Sequence, residues 1–305
     1  MSALVARAPA KVNLCLLLGP TRPDGRHDLL SVVQSLSLAD ELRLEPAGGK
    51  ATVDEVVCPG VTGENLAARA LAEFRAATGW DAPPQRLTID KRVPVAAGLG
   101  GGSGDAAAAL RLAAAASGLG DGALLMALAA RLGSDVPAQL RPARALVHGA
   151  GERVRVLGPG EPMGVLVLAS ERGLATPDVF RAADRLGLTR EGGELERARG
   201  TIAEALELDP SGAIPYLGIN DLAAAAIDLD PEIEQRLERA RSLGAEPALV
   251  SGSGPTVVGL FRGPGGHEAA KRAAEALGDP VAAPGGPAAV VAEPVDVAFG
   301  HPRML

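Results

Sequence analysis

Residues 94–107, PVAAGLGGGSGDAA, set five glycines between a strand and a helix, an arrangement that few folds require. The preceding LTIDKRV at 87–93 alternates apolar and polar side chains as a half-buried strand does, and AAAALRLAAAASGL at 106–119 reads as a tightly packed helix. The glycines therefore stand on a strand-to-helix junction, with the helix expected over 105–118. Lacking Cβ atoms, such a stretch lets backbone N–H groups converge on an anion, and a helix N-terminus adds unpaired donors and a positive dipole end. Polyphosphate suits that junction. Two other phosphate-binding patterns do not fit: no lysine follows Gly102 as a Walker A loop needs, and Ser103 occupies the third Gly/Ala position of a dinucleotide fingerprint. On these letters alone a small-residue hinge stays open as an alternative.

The rest of the chain narrows the choice. With 305 residues, 47% of them hydrophobic, it has length for about two domains and apolar material for sizeable cores. Only six residues are aromatic, so packing rests on Ala, Val and Leu, and each aromatic draws attention. A net charge of −7 without a basic run argues against a nucleic-acid surface, and no stretch approaches the roughly 18 apolar residues of a membrane span. Cys15 and Cys58 form no CxxC pair and have no zinc-type His spacing, so both read as ordinary thiols. A cytoplasmic chain with a small-molecule ligand and no obligate protein partner is expected.

Strands are expected near 3–8, 11–18, 36–46, 51–57, 87–93, 143–149 and 153–157, with helices at 64–78 and 122–132 beside the one after the glycines. GPGEP at 158–162 marks a boundary, giving domains of 1–158 and 159–305. Beyond it GVLVLAS reads as a buried strand, and Thr176, Pro177 and Asp178 as a helix start with Thr176 as its cap. Helices are expected at 178–186, 196–208, 217–228, 231–243 and 267–277, and a final strand at 288–297 after a Gly/Pro loop at 278–287. PALVS and TVVGLF flank a second glycine loop, Ser251 to Gly254. Strands mixed with helix pairs, without a regular βαβ repeat, point to an α+β fold.

Two charged residues stand out. In APAKVNLCL a strand puts Lys11 and Asn13 on one face, opposite Val12 and Leu14, and the chain has only four lysines against 26 arginines. Asp135, in ARLGSDVPAQL, precedes Val-Pro, where the backbone is expected to be extended. A solvated strand lysine and a turn aspartate are the plain alternatives. A glycine anion loop, a lysine and a carboxylate together suffice for phosphoryl transfer, which asks of a protein mainly positioning, charge neutralisation and a group to orient or deprotonate the acceptor hydroxyl.

PAKVNL at 9–14, PVAAGLGGGSGDAA at 94–107, LGSDVP at 132–137 and LVSGSGPTVVGLF at 249–261 resemble, in order and spacing, the signature regions of the GHMP small-molecule kinases. The resemblance covers nearly the whole chain. RPDGRHDLLSVVQSLSLADEL at 22–42, ENLAARA, TPDVF and NDL are most similar to the branch that phosphorylates the 2-hydroxyl of a cytidine-diphosphate methylerythritol with ATP and Mg²⁺, in non-mevalonate isoprenoid synthesis. It implies a two-domain GHMP kinase fold, the first domain like domain 2 of ribosomal protein S5, with the site between the domains. Asp135 is then the base and Lys11 its charged partner. Pro94, Val95, Ala96, Ala97, Gly98, Leu99, Gly100, Gly101, Gly102, Ser103 and Gly104 wrap the ATP phosphates, with Ser103 near the metal. Asn65 and Leu66 approach the adenine. Asn13, Arg26, His27, Thr176 and Phe180 serve the cytidyl substrate, Phe180 against the base.

The chain departs from that pattern at Arg26, where an aromatic usually precedes the histidine; a guanidinium plane can stack on a ring and attract a diphosphate. Ala138 replaces a usual Phe, and Gly149 to Glu152 reads GAGE instead of GRGE. Another GHMP kinase, acting on homoserine, mevalonate or a sugar, and a non-catalytic nucleotide-binding protein of the same fold are the competing expectations.

Overall fold

A computed structural model describes residues 3–49, 51–61, 63–95, 97–170, 172–209, 211, 214–278 and 289–305. The chain opens with two long antiparallel strands, β1 (Leu4–Thr21) and β2 (His27–Pro46), joined by a tight turn in which Gly25 adopts a positive φ of 79°. Two expected strands at the N-terminus are thus one, and β2 starts at His27 and not near position 36. Its 20 residues let β2 pair with β1 along one edge and with two strands along the other: β5 (Arg144–Gly149) opposite Leu29–Gln34, and β4 (Gln85–Asp90) opposite Glu41–Pro46. β3 (Glu55–Val57), α1 (Leu66–Thr78) and β4 make one parallel crossover unit, β6 (Arg153–Val156) extends β5, and the C-terminal β11 (Arg303–Met304) pairs with the far edge of β1. The apolar faces of α1, α2 (Gly101–Ser117) and α3 (Gly122–Leu132) cover this seven-stranded sheet, with Phe74, Leu110 and Leu128 packed on Leu42, Leu87 and Ile89.

A second, four-stranded antiparallel sheet runs in the order β10 (Ala289–Ala292), β7 (Met163–Leu168), β9 (Val257–Arg262), β8 (Ala248–Val250). With it go α5 (Thr176–Leu186), α6 (Gly192–Leu208), α7 (Ala223–Leu229), α8 (Glu232–Ser242) and α9 (Gly266–Ala276). The mix of helix pairs and largely antiparallel sheets is the expected α+β class. One core is built from both sheets: Val12, Leu14 and Leu30 of the first meet Val165, Val167 and Val258 of the second.

Several element ends differ from the sequence expectation. β4 stops at Asp90 because the buried Asp40 carboxylate takes the N–H groups of Arg92 and Val93, at 2.6 and 2.8 Å, from any further ladder. Thr176 is inside α5 and not its cap; Ala175 holds that position, and the Thr176 hydroxyl lies 3.0 Å from that of Ser253. The helix expected at 217–228 begins only at Ala223, since the Asn220 side chain binds Val250 O, Gly252 O and Leu222 N–H. The backbone at Asp135 is not extended: a one-turn helix, α4 (Val136–Gln139), starts there, with Pro137 in the first turn where its missing N–H costs no bond. Except for Gly278, the expected loop at 278–287 lies outside the described residues, and the strand after it ends at Ala292.

Candidate active site

A cavity of about 520 Å³ lies between the β1–β2 face, the start of α2 and the loop from Ser251 to Gly254. Register shifts in β1 at Pro9/Lys11 and Asn13/Cys15 bracket Lys11, Val12 and Asn13, whose side chains alternate between the two faces. Ala10, Val12 and Leu14 go to the core, while Lys11 and Asn13 turn to the cavity. Lys11 is 4% exposed, which removes the solvated-lysine alternative. Its Nζ donates to Asn13 Oδ1 at 2.7 Å, and Asn13 Nδ2 donates to Ser31 Oγ at 2.8 Å, so a buried ammonium is held by a short polar chain. Lys11 Nζ is 3.4 Å from Asp135 Oδ2, and the Asp135 side chain is 42% exposed toward the opening. The turn carrying Asp135 rests on GAGE: a Cβ at Gly151, whose φ is 102°, would lie 2.2 Å from Ser134 O.

The glycine stretch is not a loop throughout. α2 begins at Gly101 and takes in Gly102, Ser103 and Gly104, with Gly104 N–H bonding Gly100 O at 2.8 Å. Gly100 caps the helix in the left-handed region and offers no side-chain cap, so the first-turn N–H groups have no intrahelical acceptor. The glycines answer to different neighbours. A Cβ at Gly98 would lie 2.4 Å from Ser251 O, at Gly100 2.9 Å from Lys11 Cγ, and at Gly101 3.1 Å from Val93 Cγ1 and 3.3 Å from Lys91 Nζ. At Gly102 it would meet nothing within 4 Å. That open cradle over bare helix donors fits a phosphate chain. The second glycine loop docks on the first through Ser251 Oγ to Gly98 O at 3.1 Å. Ala96, within the expected phosphate wrap, lies outside the described residues.

The sequence reading passed over a charged trio beside this helix start. Lys91 Nζ binds Asp40 Oδ2 at 2.5 Å and Asp105 Oδ2 at 2.9 Å, and Lys91 and Asp105 line the cavity. Burial opposes the Lys91 charge, yet Asp105 and Asp40 more than offset it and hold its pKa above the ordinary value. Burial pushes the Asp105 carboxyl up to about 7; Lys91 opposes the rise and Asp40 adds to it. The scarcity of lysine was the signal that could have found Lys91. Cys58, Glu64 and Ser134 also line the cavity and had no sequence signal.

At the other end, Thr176, Phe180 and Leu222 form the wall. His27 is buried behind it, its ring centroid 5.2 Å from that of Phe180 and its Nε2 2.7 Å from Asp184 Oδ1 and 3.2 Å from Thr21 Oγ1. Asn65 and Leu66 line the cavity too, although the Asn65 carbonyl caps α1 by accepting from Ala67 N–H at 2.9 Å. Pro94, Val95, Ala97 and Leu99 complete the loop side. Arg26 is not brought to the cavity lining: its guanidinium lies on Asp24, at 3.0 and 3.2 Å, in an exposed ion pair.

The descriptions "GHMP kinases N terminal domain" and "GHMP kinases C terminal" match residues 65–141 and 199–282. The chain belongs to the GHMP kinases and is a small-molecule kinase. It is 42% identical, over 85% of its length and 87% of the relative's, to a 4-diphosphocytidyl-2-C-methyl-D-erythritol kinase of Streptomyces coelicolor. A kinase of the same name from Anaeromyxobacter dehalogenans is 42% identical over 99% of this chain and 93% of that one. A crystal structure of 4-(cytidine 5'-diphospho)-2C-methyl-D-erythritol kinase superposes with a TM-score of 0.72 at 36% identity, covering 95% of this chain and 98% of its own. Homoserine kinase from Cytophaga hutchinsonii, at 13% identity and a TM-score of 0.68, covers 100% of this chain and 98% of its own and shares the fold.

Proposed function

We propose that this kinase transfers the γ-phosphoryl group of ATP to the 2-hydroxyl of 4-diphosphocytidyl-2-C-methyl-D-erythritol, a step of non-mevalonate isoprenoid synthesis. The observation that carries the reading is the Lys11–Asp135 pair, 3.4 Å apart, facing the same cavity as the uncapped start of α2. Asp135 orients the acceptor hydroxyl and takes its proton. Lys11, fixed by Asn13, offsets the charge that gathers between acceptor oxygen and phosphate. The N–H groups from Gly101 to Ser103 hold the phosphate chain, and Asn65 and Leu66 lie on the adenine side. ATP, when bound with Mg²⁺, supplies the transferable phosphoryl group and most of the charge shielding.

Among the described residues no cluster of three His, Cys, Asp or Glu side chains stands ready for a metal, and a Mg²⁺ carried on nucleotide phosphates needs only one or two protein ligands. The Ser103 hydroxyl, at the helix start, is the ligand we assign. Phe180 and Thr176 take the cytidyl end, with His27 braced behind Phe180. With a domain division near residue 158, the site lies between the two domains, the second contributing Thr176, Phe180, Leu222, Gly252 and Ser253. The close identity to kinases named for the cytidyl compound supports the choice of acceptor. ADP release with Mg²⁺-ATP, comparing that compound with methylerythritol 4-phosphate, mevalonate and homoserine, tests the reading. Turnover with the cytidyl compound alone is expected. Turnover with another alcohol only would overturn the acceptor, and nucleotide binding without turnover would overturn the kinase mechanism.

A further inference from the structure

The stretch 94–104 is tied at both ends to one set of three side chains, the buried carboxyls of Asp40 and Asp105 and the partly buried ammonium of Lys91. At its entry Asp40, fully buried, accepts the N–H groups of Arg92 and Val93 through Oδ1, at 2.6 and 2.8 Å, and the Lys91 ammonium through Oδ2. At its exit the same ammonium donates to Asp105 in α2 at 2.9 Å. Asp105 is 4% exposed, and its second carboxylate oxygen is buried without a hydrogen-bond partner, so its one strong tie is to Lys91. Gly101 completes the arrangement, since a Cβ there would crowd Val93 and the Lys91 ammonium. Consecutive glycines are thus seated over two of the chain's four lysines, Gly100 over Lys11 and Gly101 over Lys91.

We infer that Asp40, Lys91 and Asp105 are a clamp that sets the span between loop entry and helix start, and that Lys91 is thereby a positioning residue for nucleotide affinity. This rests on the kinase reading of the same site. A helix start can hold phosphate only if its N–H groups converge on one point. That convergence depends on where residue 93 ends and residue 101 begins. The clamp fixes both through one ammonium, leaving Lys11 and Asp135 to act on the acceptor from the other side of Gly100.

The test is steady-state kinetics together with calorimetric titration of ADP into the full chain. Lys91→Met should raise the KM for ATP and the Kd for ADP by about tenfold or more, while kcat and the acceptor KM stay within about twofold; simple loss of folded protein lowers kcat and leaves KM alone. Asp105→Asn, which keeps shape and an acceptor oxygen, should raise both constants by about threefold, and adding it to Lys91→Met should recover part of the loss because an uncompensated buried carboxylate is removed. It also serves if Lys91→Met does not fold. Wild-type ADP affinity in both variants, or ATP and acceptor KM rising together, would overturn the clamp. A wild-type chain that binds ADP but phosphorylates no alcohol would overturn the kinase reading instead, with the Kd ratios still deciding the clamp.

Discussion

At the scale of single residues, the site turns on which charges are buried and what holds them. Lys11 lies deep and is paid for by two direct contacts, Asp135 at 3.4 Å and Asn13 at 2.7 Å, with Asn13 held in turn by Ser31. Asp135 is the half-open partner, placed where an acceptor hydroxyl can reach it. Asp135→Asn should lower kcat by about 10²–10⁴-fold, the usual worth of a positioned general base, with ADP binding unchanged because the backbone donors of α2 hold the phosphates. Near wild-type turnover would remove Asp135 from that role. The letters pointed to Lys11, Asn13, Asp135 and Phe180, all of which line the cavity: Lys11 by the rarity of lysine, Asn13 by sharing its strand face, Asp135 by its place before Val-Pro and Phe180 through the family resemblance. They did not reveal Lys91, Asp40 and Asp105, which are far apart in the chain and gain meaning only when folded together. Arg26 shows the converse: chemically able to stack on a base, it is held on its near neighbour Asp24.

At the scale of elements, the junction from β4 to α2 was legible in kind and displaced in position. The strand ends three residues before the pattern at 87–93 does, because a side chain from β2 captures the next N–H groups, and the helix starts at Gly101, well inside the glycine run. Periodicity cannot see either effect. The separate neighbours of the glycines lead to a contrast between two alanine substitutions. Gly98 has a φ of 72° and a backbone oxygen 2.4 Å from the position of a Cβ, so Gly98→Ala should lower stability by more than about 1 kcal/mol. Gly102→Ala should leave Tm within about 2 °C, a helix-compatible change with room on the protein side, and raise the KM for ATP several-fold by filling the cradle. Thermal melts and ATP titrations of the two proteins check both halves; an unchanged ATP KM in Gly102→Ala would place the phosphates elsewhere.

At the scale of the molecule, the two sheets share the core formed by Val12, Leu14 and Leu30 with Val165, Val167 and Val258, and the cavity is bounded by the first sheet on one side and by α5 and the loop from Ser251 to Gly254 on the other. Because neither sheet can lose that core alone, urea unfolding followed by fluorescence of Trp80, packed in the first sheet's core, should coincide with loss of far-UV circular dichroism, and ADP should shift both curves together. Two separated transitions would mean that the cores lying mainly on one sheet stand without the shared one. The α+β class, the glycine junction and the family resemblance could be read from letters alone, because hydrophobic period, turn chemistry and motif spacing are local properties of the chain. Tertiary structure alone decided that Lys11 reaches Asp135, that the second glycine loop docks on the first, and that the Lys91 ammonium ties loop entry to helix start. Those are contacts between residues 14 to 153 positions apart, and their energies depend on burial and distance that no local pattern encodes.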